Sequence, residues 1–165
     1  MAGRAFEDWY VEGLRAVRTA AEQGRDASRH GDSGRAPPEI AGLLEGGAAV
    51  FGRHADTLGQ LLERSGGGAG TRPNPFMDGI QEGSRQMIGA APDADVRAAS
   101  VVAAAQIAVH YFIAAYGTLA SDARHLGLDE DARMLKGMAD EMKAADARMT
   151  DLAETLANRR ASAGG

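Results

Sequence analysis

The sequence predicts an all-α protein, with four long helices in a bundle and a short extra helix between the two helix pairs. Val, Ile, Thr, Phe and Tyr never form the alternating runs that are typical of strands. Apolar residues instead recur at steps of three and four over long segments, which places them on one face of a helix. The length of 165 residues fits a single domain, which we expect over residues 1–158.

The first two helices are separated by a polar segment. The first helix is predicted over residues 5–21, because Phe6, Trp9, Tyr10, Leu14 and Val17 share one face. Residues 24–37 are polar and glycine-rich, which predicts a loop or, alternatively, a frayed extension of the first helix. The second helix starts after the proline pair at 37–38 and ends at a Gly/Pro loop over residues 65–75.

The third helix is short, over residues 75–88, and the fourth runs from about Asp93 or Asp95 to Gly127. Residues 98–121 carry no Asp, Glu, Lys or Arg, which is typical of a membrane span or of a helix buried on nearly every side. Gln106 and His110 need polar partners that lipid does not supply, so we expect a buried core helix and no membrane.

The fifth helix begins at Asp129 and carries a heptad seam that is typical of bundle packing. The seam comprises Leu135, Met138, Met142, Ala145, Met149, Leu152 and Leu156. Residues 159–165 are predicted to be a flexible tail.

Composition excludes several classes of function. The absence of cysteine removes disulfides, thiol nucleophiles and thiolate metal sites. A net charge of −5 without a basic cluster makes a nucleic-acid partner unexpected. The N-terminus has no apolar segment of the kind that secretory signals carry, so we expect a cytoplasmic protein.

The fourth and fifth helices contain three distinctive segments, AAQIAVHYFIAAYGTLA, HLGLDEDARML and DEMKAADARMTDLAE. In these segments the chain resembles the YciE/YciF-type family of bacterial ferritin-like stress proteins. The first half is similar more weakly, in FEDWYVEGLRAV, PPEI and HADTLGQLLERSG, so that the resemblance covers Phe6 to Glu154. It implies a ferritin-like bundle, a homodimer and, in typical members, a dinuclear metal centre.

The resemblance also implies where iron or manganese ligands would stand, and most of those positions are apolar here. They hold Ala21 in the first helix, Ala49, Val50 and Phe51 in the second, Val109 and Phe112 in the fourth, and Met142 in the fifth. Glu22 follows Ala21, one position away from the implied ligand, and therefore lies off that face of the helix. Four residues with ligating groups remain: His54, His110, Glu141 and Asp146. For the histidines a structural hydrogen bond is the preferred interpretation, and for the carboxylates a solvated face or a salt bridge.

Three hypotheses follow. The preferred one is a non-enzymatic protein without metal or cofactor, whose apolar core replaces the metal centre and which acts through self-association or an unknown protein partner, in a stress-related role. The alternative is a divergent iron or manganese protein with redox or metal-handling activity, using His54, His110, Glu141 and Asp146. A third is a small hydrophobic ligand in the space between the helices.

Overall fold

The computed structural model of the chain describes residues 2–31 and 37–163, and over these ranges the protein consists of helices without any strand. The helices are α1 (Ala2–His30), α2 (Pro38–Arg64), α3 (Pro75–Gly89), α4 (Ala94–His125) and α5 (Asp129–Ala163). The predicted all-α class, with four long helices and one short helix, is confirmed.

The four long helices form two pairs. α1 packs mainly against α2, and α4 packs mainly against α5, while the short α3 lies between the pairs in the chain and packs on α4. The core lies where the pairs meet, and its largest fully buried side chains come from every helix. They include Tyr10, Leu14, Ile40, Leu58, Met77, Phe112, Tyr116, Leu135 and Met142. Trp9 was predicted on the same face as Tyr10, but it is 64% exposed and takes no part in the core.

The helix ends follow from residues that can satisfy free backbone groups. The side chain of Asn74 accepts a hydrogen bond from the amide of Met77 at the start of α3, and Asp93 does the same for Val96 at the start of α4. Gly127 closes α4 with φ of 74°, and the Leu128 amide donates back to the Ala123 carbonyl. This is the glycine-dependent helix end that the sequence predicts.

Two predicted boundaries are wrong. α1 continues to His30, so residues 24–30 are not part of a loop, and the alternative of an extended first helix agrees with the structure there; residues 32–36 lie outside the described ranges. Gly24 allows the two helices to pack closely, because a Cβ there would lie 3.1 Å from the Phe51 ring of α2. Residues 159–163 are also helical, as the end of α5, whereas a flexible tail was predicted; residues 164–165 lie outside the described ranges.

The expectation that α4 is buried on nearly every side is also wrong. Within the described residues, α4 is long and apolar enough to cross a membrane by length and composition. An 18-residue stretch of this helix has a mean hydropathy of 1.7, yet only 33% of that stretch is buried. Ile107 is 52% exposed. The uncharged stretch therefore has one face on the core and another face that nothing in the described chain covers.

Candidate functional site

Aromatic rings fill the centre of the bundle, where the resemblance implies metal ligands. The Phe51 ring of α2 lies 4.7 Å from the Phe112 ring of α4, and the Phe112 ring lies 5.4 Å from that of Tyr116, centroid to centroid. Phe112 and Tyr116 are fully buried. Ala21, Val109 and Met142 are buried in the same core cluster. These contacts describe a packed apolar core.

One polar network lies in this core and is built on His54. Nε2 of His54 lies 2.8 Å from Oε2 of Glu141, and Nδ1 lies 3.1 Å from the hydroxyl of Tyr116. The Arg53 guanidinium donates to the other carboxylate oxygen of Glu141 at 2.5 Å. His54 is only 3% exposed, so water scarcely reaches its ring. Both ring nitrogens have protein partners instead, as buried polar groups require. The expectation of a hydrogen-bonded histidine at position 54 agrees with this geometry.

Charge and burial assign the protons in the network. Burial lowers the pKa of His54, although the hydrogen bond and charge of Glu141 oppose that effect. Partial burial alone would raise the pKa of Glu141, but His54 and Arg53 together outweigh it and hold that pKa below its usual value. The Glu141 carboxylate can only accept, so Nε2 of a neutral His54 donates to it. Nδ1 then accepts from Tyr116, whose hydroxyl pKa is raised by burial.

The other candidate pair lies apart from this network. Nε2 of His110 on α4 is 3.1 Å from Oδ1 of Asp146 on α5, and the Gln106 amide approaches the same oxygen at 3.3 Å. The His110 side chain is 66% exposed and that of Asp146 is 26% exposed. The sequence places His110 in an uncharged helix, but its side chain lies on the outer face and is not in the core.

The four candidate ligands thus form two His–carboxylate pairs and no single cluster. Among the residues that the structure describes, no three His, Cys, Asp or Glu side chains are grouped so that they could hold a metal ion. A dinuclear iron or manganese centre needs several oxygen donors from four helices. The Glu22 carboxylate pairs with Arg18 on its own helix at 3.3 Å. The residues present therefore do not fit a dinuclear centre.

The apolar residues at the positions where the resemblance implies ligands are not equally buried. Val109, Phe112, Phe51 and Met142 are buried. Val50 is only partly buried against the core, and Ala49 is exposed. Ala49 therefore takes no part in filling the centre.

Sequence reasoning missed three residues that organise polar contacts. Tyr116 completes the hydrogen bonds of His54. From the sequence, its position in the uncharged helix indicated that its hydroxyl needs a partner, but did not indicate which one. Asn74 donates to the Ala16 carbonyl at 2.9 Å and to the Tyr111 hydroxyl at 2.5 Å, in addition to capping α3. Its position directly before Pro75 is a helix-start signal that could have been recognised. Asp131 accepts from Tyr10 at 3.3 Å.

Five helices with this pairing and a core polar network define a small helical-bundle domain. The chain belongs to the family described as domain of unknown function DUF892, which matches residues 5–162. It is 42% identical to Protein YciF of Escherichia coli (strain K12) over 85 residues, a region that covers 52% of this chain and 51% of that protein. In sequence, the chain therefore spans about half the length of this curated relative.

Solved structures extend the likeness over most of the chain. The E. coli stress protein YciF superposes with a TM-score of 0.81 at 28% identity, covering 93% of this chain and 97% of that one. YcfI, a putative structural protein from Rhodopseudomonas palustris, superposes with a TM-score of 0.82 at 29% identity, covering 88% and 92%. The 42% identity to YciF is confined to one region, and the fold is shared well beyond it.

Proposed function

We propose that this chain is a non-enzymatic ferritin-like protein in which an apolar core stands in place of a dinuclear metal centre, and that it acts as a homodimer in a stress-related, cytoplasmic role. The observation that carries the proposal is the ring cluster of Phe51, Phe112 and Tyr116 at the centre of the bundle. The similarity to a stress protein and to a protein described as structural supports the same reading.

Physical chemistry favours such a replacement once the metal is gone. Carboxylates buried without a cation repel one another, and each loses hydration worth several kcal/mol. Fitted apolar side chains in their place are often neutral or stabilising by about 1–4 kcal/mol. His54 and Glu141 remain because they satisfy each other and Tyr116, and Glu141 keeps part of its side chain in water, at 38% exposure.

Self-association is supported by a second heptad seam, on the outer face of α4. It consists of Ala103, Ile107, His110, Ala114, Gly117 and Ser121, at alternating steps of four and three. All but Ala103 are exposed in the single chain. This spacing is typical of a helix that packs lengthwise on another helix, and its small residues allow a close approach. The seam lies in the segment that carries no charge, so a second copy would bury no unpaired ion there.

The same face bears on the membrane alternative. α4 has a membrane-like composition, but its core face packs on other helices and Gln106 and His110 contact Asp146 of α5. A lipid environment would have to accommodate α5 with its charged residues alongside. A partner helix from a second copy covers Ile107 without that cost.

Light scattering on a seam variant tests self-association. The wild-type protein is expected to have a mass of about 34 kDa, twice the 17.2 kDa of one chain, at micromolar concentration. Ala114→Glu places a carboxylate in the middle of the seam and should give the monomer mass, since burying that charge costs several kcal/mol. Ala41→Glu, at an exposed position of α2, is the matched control and should remain dimeric. A wild-type monomer, or a dimer that tolerates Ala114→Glu, would contradict the proposal.

The alternative metal-dependent function has one observation in its favour. Two His–carboxylate pairs persist: His54 with Glu141 connects α2 to α5, and His110 with Asp146 connects α4 to α5. An iron or manganese protein built on them would need the pairs to come together around the ions. Loss of bound metal in a His54→Ala variant, with the fold intact, would favour this function over the proposed one.

A further inference from the structure

An apolar groove opens at one end of the bundle and is not used by the proposed function. Its volume is about 660 Å³, within the range of small-molecule sites. α1, α2, α3 and α4 supply most of its lining, and α5 contributes Met149. Its apolar lining includes Leu43, Leu44, Ile80, Ile88, Val101 and Met149.

Small residues keep this space open. Ala104, Ala105 and Ala108 line it from α4, and none of them reaches far from its own helix. Gly47 of α2 lies opposite Ser28 of α1, where a Cβ would come within 3.1 Å of the serine hydroxyl. The two helices approach closely there, while the alanine wall of α4 leaves the groove unfilled. A protein interior of ordinary packing density would not leave a gap of this size.

The groove extends along α4. Its lining runs along α4 from Arg97 to Val109, which is about 18 Å of helix axis. Phe51 and Val109 lie at the inner end, next to the ring cluster, and Arg97 lies toward the start of α4. An extended acyl chain could lie along this length with apolar contacts on several sides.

Charge at the groove favours an anionic head group. Among the described residues that line it, Arg85 and Arg97 are basic and Asp26 is the acidic one. Asp26 already pairs with Arg25 at 2.9 Å, which offsets its charge. Arg85 is 66% exposed and pairs with Glu82 one turn earlier on α3, an exposed pair of the kind that contributes little and can exchange for another anion. Arg85 therefore offers an anion a cationic contact at the groove, although the chain carries a net charge of −5.

We propose that the groove between α3, α4 and the α1–α2 pair binds a single long-chain fatty acid, with the acyl chain along Ala105 and Ala108 and the carboxylate at Arg85. This site is distinct from the His54 network, and it does not depend on the proposed function. The ligand is a monoanionic amphiphile, because the lining combines an extended apolar path with the guanidinium of Arg85.

Displacement of a fluorescent fatty-acid probe from the full-length protein tests the site. Saturated fatty acids from decanoate to hexadecanoate, kept below micelle-forming concentrations, should bind one per chain. Affinity should rise up to about fourfold for each added methylene until the groove is filled. The methyl ester of hexadecanoate should bind at least about tenfold more weakly than the acid, because it lacks the charge-assisted contact.

Variants separate the chain contact from the head-group contact. Ala105→Leu narrows the groove from α4 and Ser84→Leu narrows it from α3, and each should weaken binding at least about tenfold; circular dichroism checks that each variant is folded. Ala144→Leu, at an exposed position of α5 outside the groove, should bind like the wild type. Arg85→Gln should weaken the acid about tenfold and leave the ester unchanged, while Arg124→Gln at the far end of α4 should change neither.

Three outcomes would overturn the proposal. One is the absence of saturable binding for every acid in the series. Another is unchanged binding in both Ala105→Leu and Ser84→Leu, which would place the probe elsewhere. The third is binding that disappears as the protein concentration rises into the range of a dimer, which would show that a second copy covers the groove.

Discussion

Tyr116→Phe tests whether His54 is held by hydrogen bonds as a structural core residue. The substitution removes one oxygen and preserves the ring, which is fully buried and packs 5.4 Å from the Phe112 ring. No cavity larger than the hydroxyl is created. What remains is a buried Nδ1 on His54 whose partner, at 3.1 Å, has gone.

The expected cost follows from that orphaned acceptor. A buried polar group without a partner costs about 1–3 kcal/mol. His54 cannot turn to repair the loss without breaking its bond from Nε2 to Glu141 at 2.8 Å. The free energy of unfolding should therefore fall by about 1–3 kcal/mol, a substantial share of the roughly 5–15 kcal/mol that stabilises a domain.

Urea denaturation near neutral pH measures this change, with Tyr111→Phe as the matched control. Tyr111 lies on the same helix and loses the same hydroxyl, but it is half-buried, and its partner Asn74 still donates to the Ala16 carbonyl at 2.9 Å. The control should lose about 1 kcal/mol or less. If Tyr116→Phe proved no more destabilising than Tyr111→Phe, the network around His54 would not be a stabilising core element.

Three further predictions concern pH, buried charge and secondary structure. Burial places the pKa of His54 below its value in the unfolded chain, so the unfolded chain takes up a proton first as the pH falls. The free energy of unfolding should therefore decrease as the pH drops below about 6.5. In urea titrations at pH 7 and pH 5.5, His54→Gln should remove that decrease. Phe112→Glu should lower the melting temperature strongly, with or without manganese. Val109→Glu should lower it less, since Val109 borders the open groove, where a carboxylate can reach water. A melting temperature fully restored by manganese would contradict a filled site. Far-ultraviolet circular dichroism should show a helix-dominated spectrum, and an appreciable sheet signal would refute the fold.

Periodic apolar residues and end signals predicted most of the fold. Asp129, Gly127 and the prolines at 38 and 75 mark helix ends that the structure confirms. The end of α1 was predicted too early, because the segment 24–37 is polar and glycine-rich and its local pattern favours a loop. The close approach of α1 and α2 at Gly24 is a contact between residues distant in sequence, which local pattern does not contain.

The candidate site was predictable in part. Burial of Phe112, Val109 and Met142 followed from their apolar character at positions where the resemblance implies ligands. The separation of His54–Glu141 from His110–Asp146 did not, because spacing along each helix leaves open which side chains meet across helices. The prediction that the uncharged residues 98–121 are buried on nearly every side was wrong. The absence of charge is equally compatible with an exposed face that packs against a second copy of the chain.

Metal content of the protein purified without chelator tests the central claim most directly. The account predicts far less than one iron or manganese ion per chain by elemental analysis, and a melting temperature unchanged by chelator or by added manganese or ferrous ion. This follows because apolar side chains occupy the centre and His54 already has both partners. Close to two chelatable ions per chain, with a melting temperature that falls when they are removed, would contradict it.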